Sequence, residues 1–382
     1  MAIQLLRYLV LFLVLCNIPG FLLVYTNPSL SSAVSILTSL SLLLFFFLSK
    51  PWQKPIIPFV LFTILYFTIS SLNYYGVDAD LIKEFIRFLI LVVCITEVMY
   101  RSSYKELFYI LLIGAFSVIL NALVFPYTNA MYGLVTGRYS GFFLNPNTAG
   151  IICLLGIAIS YSIKNSTWRI LGQLVFTLAG ILTLSRTFIV VWLFINFLAI
   201  IKDRKNLFVP IIGVIALIVM ITFTDSKIFA ADRFEALTAF FGEGEVKTKT
   251  VGNDSRTQTW ALYYDLIFEK PLVGHGYGAF QKVTTKAPGV HNSYLMIIGE
   301  SGIIPFLLFI GTYIYMLRYC IIYLKQEPYL LYTLLVVLLN LMASHTFFSN
   351  YQSIALTIFI FMRIRMLNNP EKLEQRISNL SK

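Results

Sequence analysis

The chain has 382 residues, of which 58% are hydrophobic and only 12% are charged, and it contains 33 Phe and 23 Tyr. Soluble globular domains carry about 25% charged residues, so this composition excludes that class and indicates a polytopic membrane protein. A formal net charge of +11 would suit a nucleic-acid-binding protein, but the Lys and Arg residues lie in short loops between apolar runs. Membrane topology explains this basic surplus, and no nucleic-acid partner is expected.

Apolar runs long enough to cross a membrane recur along almost the whole chain. About 20 residues of helix cross the hydrocarbon core, and roughly twelve runs of that order can be drawn. They are 3–25, 30–48, 56–72, 82–99, 107–125, 147–163, 169–184, 187–201, 207–224, 294–316, 328–344 and 351–366. The runs are continuously apolar rather than alternating, which favours transmembrane helices. We therefore predict an all-α polytopic bundle that forms a single integral membrane domain over residues 1–382.

The positions of the basic residues predict the orientation of this bundle. Those in the loops all fall on one side of the arrangement: Lys50, Lys54, Arg101, Lys105, Lys164, Arg169, Lys202, Arg204, Lys205, Arg318 and Lys325. By the positive-inside rule this side and both termini face the cytoplasm, where basic groups also contact anionic membrane lipids. The longest polar stretch, a loop over residues 225–293, then lies on the outer side.

This outer loop is predicted to contain an amphipathic helix that lies on the membrane surface. Asn253, Asp254 and Ser255 are helix-capping residue types directly ahead of Arg256. The residues that follow at helical spacing are Trp260, Tyr263, Tyr264 and Ile267. Pro271 ends the run. Because Trp and Tyr are favoured at membrane interfaces, we expect Arg256 in the first turn of a helix whose aromatic face meets the lipid.

A glycine-rich turn follows this helix. Gly274, Gly276 and Gly278 invite comparison with phosphate-binding loops, but their spacing is not that of a nucleotide motif and no strand-to-helix context is evident. We interpret the segment as a turn that reverses the chain. His275 lies inside it, where backbone geometry dominates, and we assign it no catalytic role.

Two arginines on the outer side are the candidate anion-binding groups. Arg186 lies in a charged break between the apolar runs 169–184 and 187–201. It is either a headgroup anchor or part of a site that faces the bundle interior. The positive-inside rule disfavours arginine on the outer side, which favours a functional role for Arg186 and also for Arg256. Their planar donor forks match phosphate oxygens, so together near a helix N-terminus they would cradle a pyrophosphate.

His291 is the candidate general base. It precedes Asn292 where the outer loop re-enters the membrane, and an isolated histidine at such a place is most often an interfacial polar residue. Imidazole is also the side chain best suited to accept a proton near neutral pH, and neighbouring guanidinium groups would favour its neutral form. His345 is a lesser alternative. The three scattered histidines lack acidic partners at ligand spacing, so we expect no metal site.

Glu300 is placed inside the apolar run that begins near Tyr294, where an ionised carboxylate needs a partner. One interpretation is that this carboxylate orients His291 or an arginine. The other, equally supported, is an interhelical hydrogen bond made by its protonated form.

Several short motifs between about residues 130 and 310 occur together in one order. They are Gly137 to Phe143 with Asn145-Pro146-Asn147, Leu184-Ser185-Arg186-Thr187, Arg256, Glu269 to Gly274 with Gly276, and His291 to Leu295 with Glu300 to Gly302. In this order and spacing they resemble the O-antigen ligase and O-antigen polymerase superfamily of bacterial polytopic membrane glycosyltransferases. The resemblance implies a membrane helical bundle with a large outer loop ahead of its last few helices, which agrees with the topology above.

The resemblance also implies a reaction. The donor would be a glycan linked through pyrophosphate to undecaprenol. An inverting, metal-independent transfer to an acceptor sugar hydroxyl would take place outside the bacterial cytoplasmic (inner) membrane, facing the periplasm or cell exterior. His291 would deprotonate the hydroxyl, and Arg186 and Arg256 would stabilise the departing pyrophosphate. The predicted substrate-binding residues are Arg138, Asn292 and Glu300. No cofactor is expected, because the bond that breaks is already activated.

Three functions remain open at this point. The leading hypothesis is polymerisation of lipid-linked repeats for O-antigen, capsule or exopolysaccharide, with a chain-length regulator as a candidate partner. The same site could instead transfer finished glycan to lipid A-core, as an O-antigen ligase of lipopolysaccharide synthesis does. A transporter or flippase for the lipid-linked glycan would also need cationic groups, but transporters more often carry charged or broken helices at mid-membrane.

Overall fold

The computed structural model describes residues 2–125, 137–223, 256–281 and 289–369. Regular structure in these ranges is entirely helical and includes no strand, which confirms the predicted all-α class. Most of the helices begin and end within a few residues of the predicted apolar runs; the exceptions are the helix in the outer loop and the helices of the runs 3–25 and 294–316.

In chain order, the helices of the described ranges are α1 (Ala2–Leu15), α2 (Ile18–Tyr25), α3 (Pro28–Leu48), α4 (Ile57–Ser71), α5 (Asp78–Arg101), α6 (Tyr104–Val124), α7 (Pro146–Ser160), α8 (Ser166–Leu182), α9 (Arg186–Lys202), α10 (Phe208–Phe223), α11 (Arg256–Glu269), α12 (Ser293–Ser301), α13 (Ile303–Ile322), α14 (Pro328–Ala343) and α15 (Tyr351–Leu367). Asn145, Asn165 and Ser185 begin α7, α8 and α9, because each side-chain oxygen accepts a backbone N–H of the first turn.

Three helices of the described ranges, α3, α6 and α13, are long and apolar enough to cross a membrane. The bent pair α1 and α2 raises the number to four if the two form one span. Shorter apolar helices include α4, α7, α8 and α14. The protein is therefore an integral membrane protein, while the larger number of spans drawn from the sequence remains a prediction.

Two of the predicted spans are interrupted. Asn17 adopts a left-handed conformation (φ 53°) between α1 and α2, so the run 3–25 is not one straight helix. Gly302 (φ 78°) separates α12 from α13 within the run 294–316. A Cβ at Gly302 would lie 2.1 Å from the carbonyl oxygen of Leu272, so only glycine fits the break. Apolar composition alone does not reveal either break.

The chain divides into two compact units, and unit 1 comprises Met1–Val14, Leu37–Ser103 and Tyr263–Lys382. Its helices α4, α5, α13, α14 and α15 pack around a cluster of aromatic rings. The Phe348 ring lies 4.2 Å from the Tyr66 ring and 4.9 Å from the Phe88 ring, centroid to centroid. The short helix α12 packs against α4, α13 and α14. This packing gives α12 a rigid support.

Unit 2 comprises Leu15–Ile36 and Tyr104–Leu262. Its helices α6, α7 and α8 pack on one another, and α9 and α10 pack beside them. Small residues allow the close approach: a Cβ at Gly156 would meet the Phe176 ring at 2.2 Å, and one at Gly180 would meet the Phe188 ring at 2.0 Å. The predicted outer loop lies largely outside the described residues, and its extent stays a prediction, as does the single membrane domain.

Candidate functional site

The segment that carries His291 begins α12 in unit 1. Asn292 is only 5% exposed, and its Oδ1 accepts the backbone N–H groups of Tyr294 (2.9 Å) and Leu295 (3.2 Å). This is a helix N-cap, which satisfies donors that the first turn otherwise leaves without partners. The amide oxygen of Asn292 is thus bound to the protein backbone, and its predicted role in substrate binding stays a prediction. His291 lies one residue earlier and is exposed.

His291 and His345 lie together, which the sequence did not predict. The backbone N–H of His291 donates to Nδ1 of His345 at 3.1 Å, and the two ring centroids are 4.6 Å apart. His291 has a left-handed backbone conformation, with φ 48°. The hydrogen bond therefore fixes the His291 backbone in a conformation that residues other than glycine rarely adopt.

His345 is held in its neutral form. Burial, followed by the nearby charge of His291, lowers the pKa of His345 from 6.5 to about 4. Because Nδ1 accepts a hydrogen bond, the single ring proton of neutral His345 is on Nε2. The two imidazoles therefore differ in their surroundings, since His291 is exposed and His345 is partly buried.

Glu300 is fully buried in α12 and anchors this helix to its neighbours. Its Oε1 accepts the backbone N–H of Phe280 at 2.9 Å. Its Oε2 accepts the Tyr66 hydroxyl from α4 and Nε2 of Gln281 at 2.9 Å. The bond to Tyr66 is interhelical, as one of the two interpretations of Glu300 expected, but Glu300 accepts in each of these bonds, so the protonated form in that interpretation stays a prediction. A role in substrate binding has no support from these contacts and stays a prediction.

The glycine turn packs its backbone against α12 and α4. Consecutive N–H groups of the turn donate to protein carbonyls: Gly274 to Lys270 (2.9 Å), His275 to Gly299 (2.8 Å) and Gly276 to Glu300 (3.1 Å). A Cβ at Gly276 would lie 2.2 Å from the carbonyl oxygen of Asn73. The interpretation as a chain-reversing turn is confirmed, because these amides are bound to the protein rather than directed at a phosphate. Nε2 of His275 lies 2.6 Å from the Leu266 carbonyl oxygen.

Arg186 is the first residue of α9 in unit 2, so the predicted charged break is a helix start. Ser185 caps the helix, with its Oγ accepting the N–H of Phe188 at 3.4 Å, and Leu184 before it is left-handed (φ 47°). Arg186 is exposed. Within the ranges that the structure describes, its guanidinium makes no hydrogen bond or ion pair with protein groups. The side chain can therefore contact an anion without first breaking such a bond.

Arg138, in contrast, is only 6% exposed and is bonded to the loop that precedes Arg186. Its Nε donates to the Thr183 carbonyl at 2.9 Å, and one terminal nitrogen donates to Oδ1 of Asn147 at 3.0 Å. Ser185 Oγ donates to the same Oδ1 at 3.1 Å. Arg138 thus braces the junction between α8 and α9. Its predicted contact with substrate stays a prediction.

Arg256 is exposed at the first residue of α11, and the helix predicted for this part of the loop is present. The capping residues proposed for it, at 253–255, lie outside the described residues. Tyr263 is buried and its ring lies 4.7 Å from that of Phe280, while Phe268 is 79% exposed. Apolar residues thus occupy more than one face of α11, so the division into one aromatic and one polar face is less clear than predicted.

Several residues that shape the site were not identified from the sequence. These residues are Tyr66, Gln281 and Thr183, and each acts through a contact with a residue that is not its neighbour in sequence; Tyr66 and Glu300, for example, are 234 positions apart. No local pattern marks such a pair. In the part of the chain that the structure describes, no three His, Cys, Asp or Glu side chains converge on a possible metal position.

Residues 171–310 match the protein-family model described as O-antigen ligase. The matched range includes Arg186, Arg256, His291 and Glu300, whereas Arg138 and His345 lie outside it. No curated protein and no solved structure matches the chain. The match confirms the resemblance drawn from the sequence motifs, and it supports a membrane enzyme of glycosyltransferase type.

Proposed function

We propose, on the match of residues 171–310 to the family model described as O-antigen ligase, that the protein is a membrane glycosyltransferase. It transfers glycan from an undecaprenyl-pyrophosphate donor to a sugar hydroxyl of an acceptor, outside the cytoplasmic membrane. The acceptor is a second lipid-linked repeat, so the product is a polymer of O-antigen, capsule or exopolysaccharide repeats. The glycosyl–pyrophosphate bond is already activated, and the reaction therefore needs neither a metal nor a cofactor.

The exposed His291 imidazole at the start of α12 is the observation that carries this proposal. A general base must come within hydrogen-bond reach of the proton that it removes, about 2.6–3.2 Å between heavy atoms. His291 removes the hydroxyl proton while the oxygen attacks the anomeric carbon on the face opposite the pyrophosphate. The new glycosidic bond forms as the bond between the anomeric carbon and the pyrophosphate oxygen breaks. The electron pair of the broken bond leaves with the pyrophosphate oxygen.

Arg186 and Arg256 supply the positive charge that the departing pyrophosphate needs. Each is exposed and each is the first residue of a described helix, α9 and α11 respectively. The first turn of a helix presents backbone N–H groups and a positive dipole end to anions. Guanidinium groups remain charged at every relevant pH and bind phosphate oxygens through two parallel hydrogen bonds. Both arginines therefore stabilise charge that grows as the bond breaks.

Ligation is the second candidate function, because the matching family is described as O-antigen ligase. In that reaction the same donor and the same three side chains act, but the acceptor is a hydroxyl of lipid A-core. The choice between polymerisation and ligation depends on the acceptor alone.

The proposal is tested with the purified full-length protein in liposomes that contain an undecaprenyl-pyrophosphate-linked repeat with a labelled sugar. Lipid A-core is added to half of the samples, and the products are separated by size. A ladder of labelled glycan without lipid A-core indicates polymerisation. Label that appears only on lipid A-core indicates ligation. Movement of the labelled lipid across the bilayer without any new glycosidic bond would overturn the proposal in favour of a transporter.

A further inference from the structure

His345 has no part in the chemistry proposed above, although it lies against the proposed base. It follows α14 and lies 54 residues beyond His291, in the turn between α14 and α15. Its Nδ1 accepts the His291 backbone N–H, and its ring centroid is 4.6 Å from that of His291. Both residues belong to unit 1, so their contact depends only on packing within that unit.

The turn that carries His345 is hydrogen-bonded to the start of α12, and the His345 imidazole lies close to Gly289. Ser293 Oγ donates to the carbonyl oxygen of Ser344 at 2.6 Å. Gly289 leaves room for the imidazole, because a Cβ there would lie 2.8 Å from Cε1 of His345. The acceptor atom is therefore held at a set position beside the His291 backbone.

The His291 backbone needs such a partner. A residue with a Cβ is strained at a φ of 48°, and it keeps that conformation only where surrounding contacts determine it. The Asn292 cap fixes the helix that follows, and the bond to His345 fixes the N–H of His291 itself. If that bond were lost, the His291 backbone could relax and its imidazole would move relative to an acceptor hydroxyl.

We infer that His345 is a positioning residue, whose Nδ1 lone pair holds the His291 backbone in the left-handed conformation that presents the His291 imidazole as the base. The inference rests on the proposed function, because it assigns a role relative to that base. His345 does not replace His291 in the reaction. Its Nδ1 is already an acceptor, and its Nε2 carries the ring proton, so neither nitrogen can take a proton from an acceptor sugar.

A matched pair of variants separates the hydrogen bond from the bulk of the side chain. In His345→Asn the amide Oδ1 can accept the His291 N–H in place of Nδ1, whereas His345→Leu has a similar size and no acceptor. Thr346→Val is the control, because it removes the side-chain contact of Thr346 with Ser344 in the same turn without touching His291. All are compared with the wild-type protein in the liposome assay over a range of donor concentrations.

We expect His345→Leu to lower kcat between about 10- and 100-fold with KM unchanged, because small displacements of a reacting group have effects of that size. His345→Asn should restore most of the wild-type kcat, and Thr346→Val should retain it. If His345→Leu does not insert and fold, His345→Phe gives the same contrast with an aromatic ring in place. Folding is checked by elution as a single species and by thermal unfolding in detergent.

The results distinguish this inference from the proposed function. A wild-type protein that transfers no glycan overturns the proposed function and the role of His345 with it. An active wild type whose His345→Leu or His345→Phe variant is equally active overturns the inference alone. Equal losses in His345→Leu and His345→Asn would also overturn it, because the acceptor atom would then not matter.

Discussion

The junction at Arg186 in unit 2 and the junction at His291 in unit 1 begin a helix with the same backbone conformation but expose a different residue. In each, a residue with a left-handed backbone precedes a capping residue and a helix: Leu184 (φ 47°) before Ser185 and α9, and His291 (φ 48°) before Asn292 and α12. At the first junction the exposed polar side chain is the first residue of the helix. At the second it is the left-handed residue itself.

This difference decides what holds each side chain in place. Leu184 is 2% exposed, so packing fixes the left-handed residue and the helix backbone carries Arg186. His291 is exposed, and its N–H is bound by His345 from another part of the chain. The orientation of Arg186 is therefore largely local, whereas that of His291 depends on tertiary structure. A phosphate-binding arginine tolerates some freedom, while a general base must be placed within hydrogen-bond reach.

A third junction shows that a left-handed residue before a helix cap does not by itself indicate function. Leu144 (φ 62°) precedes Asn145, which caps α7, and no residue there was a candidate for chemistry other than the nearby Arg138. A left-handed residue before a cap is a way to begin a helix sharply. It acquires a functional meaning only from the side chain that the junction exposes.

The largest effect should come from His291→Asn. Asparagine tolerates a left-handed backbone, so this change removes the imidazole while retaining the junction. We expect kcat to fall about 10²- to 10⁴-fold, the range typical of general-base catalysis. His275→Asn is the matched control and should retain activity. A normal rate in the liposome assay for folded His291→Asn protein would rule out His291 as the base and leave the junction as a structural feature.

Arg186→Met should have the next largest effect. Loss of one group that stabilises a leaving-group charge typically reduces kcat by about 10²-fold. Because the Arg186 guanidinium makes no bond to protein within the described ranges, thermal stability should change little. Rates and melting temperatures of the same preparations check both statements. An active Arg186→Met variant would indicate that this arginine is only a headgroup anchor.

Much of the fold was predictable because most of the apolar runs coincide with one helix each; the runs 3–25 and 294–316 each contain two. The ends of α14 at Pro328 and Ala343 lie within a residue of the predicted run 328–344, and the break at Ser185 was visible as a charged interruption. The break at Gly302 was not predictable, since it depends on the approach of the Leu272 backbone. Long-range contacts leave no local signature in hydropathy.

The candidate site was predictable to the same extent. The motifs identified which side chains have suitable chemistry, such as Arg186 and His291. They could not separate exposed groups from buried ones, so Arg138 and Glu300 were assigned to substrate although each is bonded to protein in the folded chain. Burial is a property of the tertiary structure, and a single polar residue in an apolar sequence is compatible with both outcomes.

Arg138→Met tests the contrast between a buried and an exposed arginine within unit 2. Removal of the guanidinium takes this buried donor from the Thr183 carbonyl and leaves Asn147 Oδ1 with Ser185 Oγ as a donor. The loss should lower the free energy of unfolding by about 1–3 kcal/mol. Thermal unfolding in detergent measures this loss, and Arg186→Met is the matched control with an exposed side chain. Unchanged stability with a lower kcat would instead favour the predicted contact of Arg138 with substrate.

The smallest effect expected is a pH dependence confined to the His291 junction. The pKa of His345 is about 4 in the folded protein and 6.5 for an unperturbed histidine. Between these two values the unfolded chain binds a proton that the folded chain does not, so acid favours unfolding. Stability should therefore fall as the pH decreases from 6.5 towards 4, with no further contribution from His345 below that pH.

Hydrogen exchange locates this effect, since protonated His345 can no longer accept the His291 N–H. At pH 4, after correction for the intrinsic pH dependence of exchange, the His291 amide should be less protected than at pH 7. The amide of Phe188, which donates to the Ser185 cap, contacts no histidine there and should keep its protection. His345→Asn should remove the difference between the two junctions, because its amide does not titrate. Equal pH dependence of the His291 amide in wild type and His345→Asn would show that His345 does not control this junction.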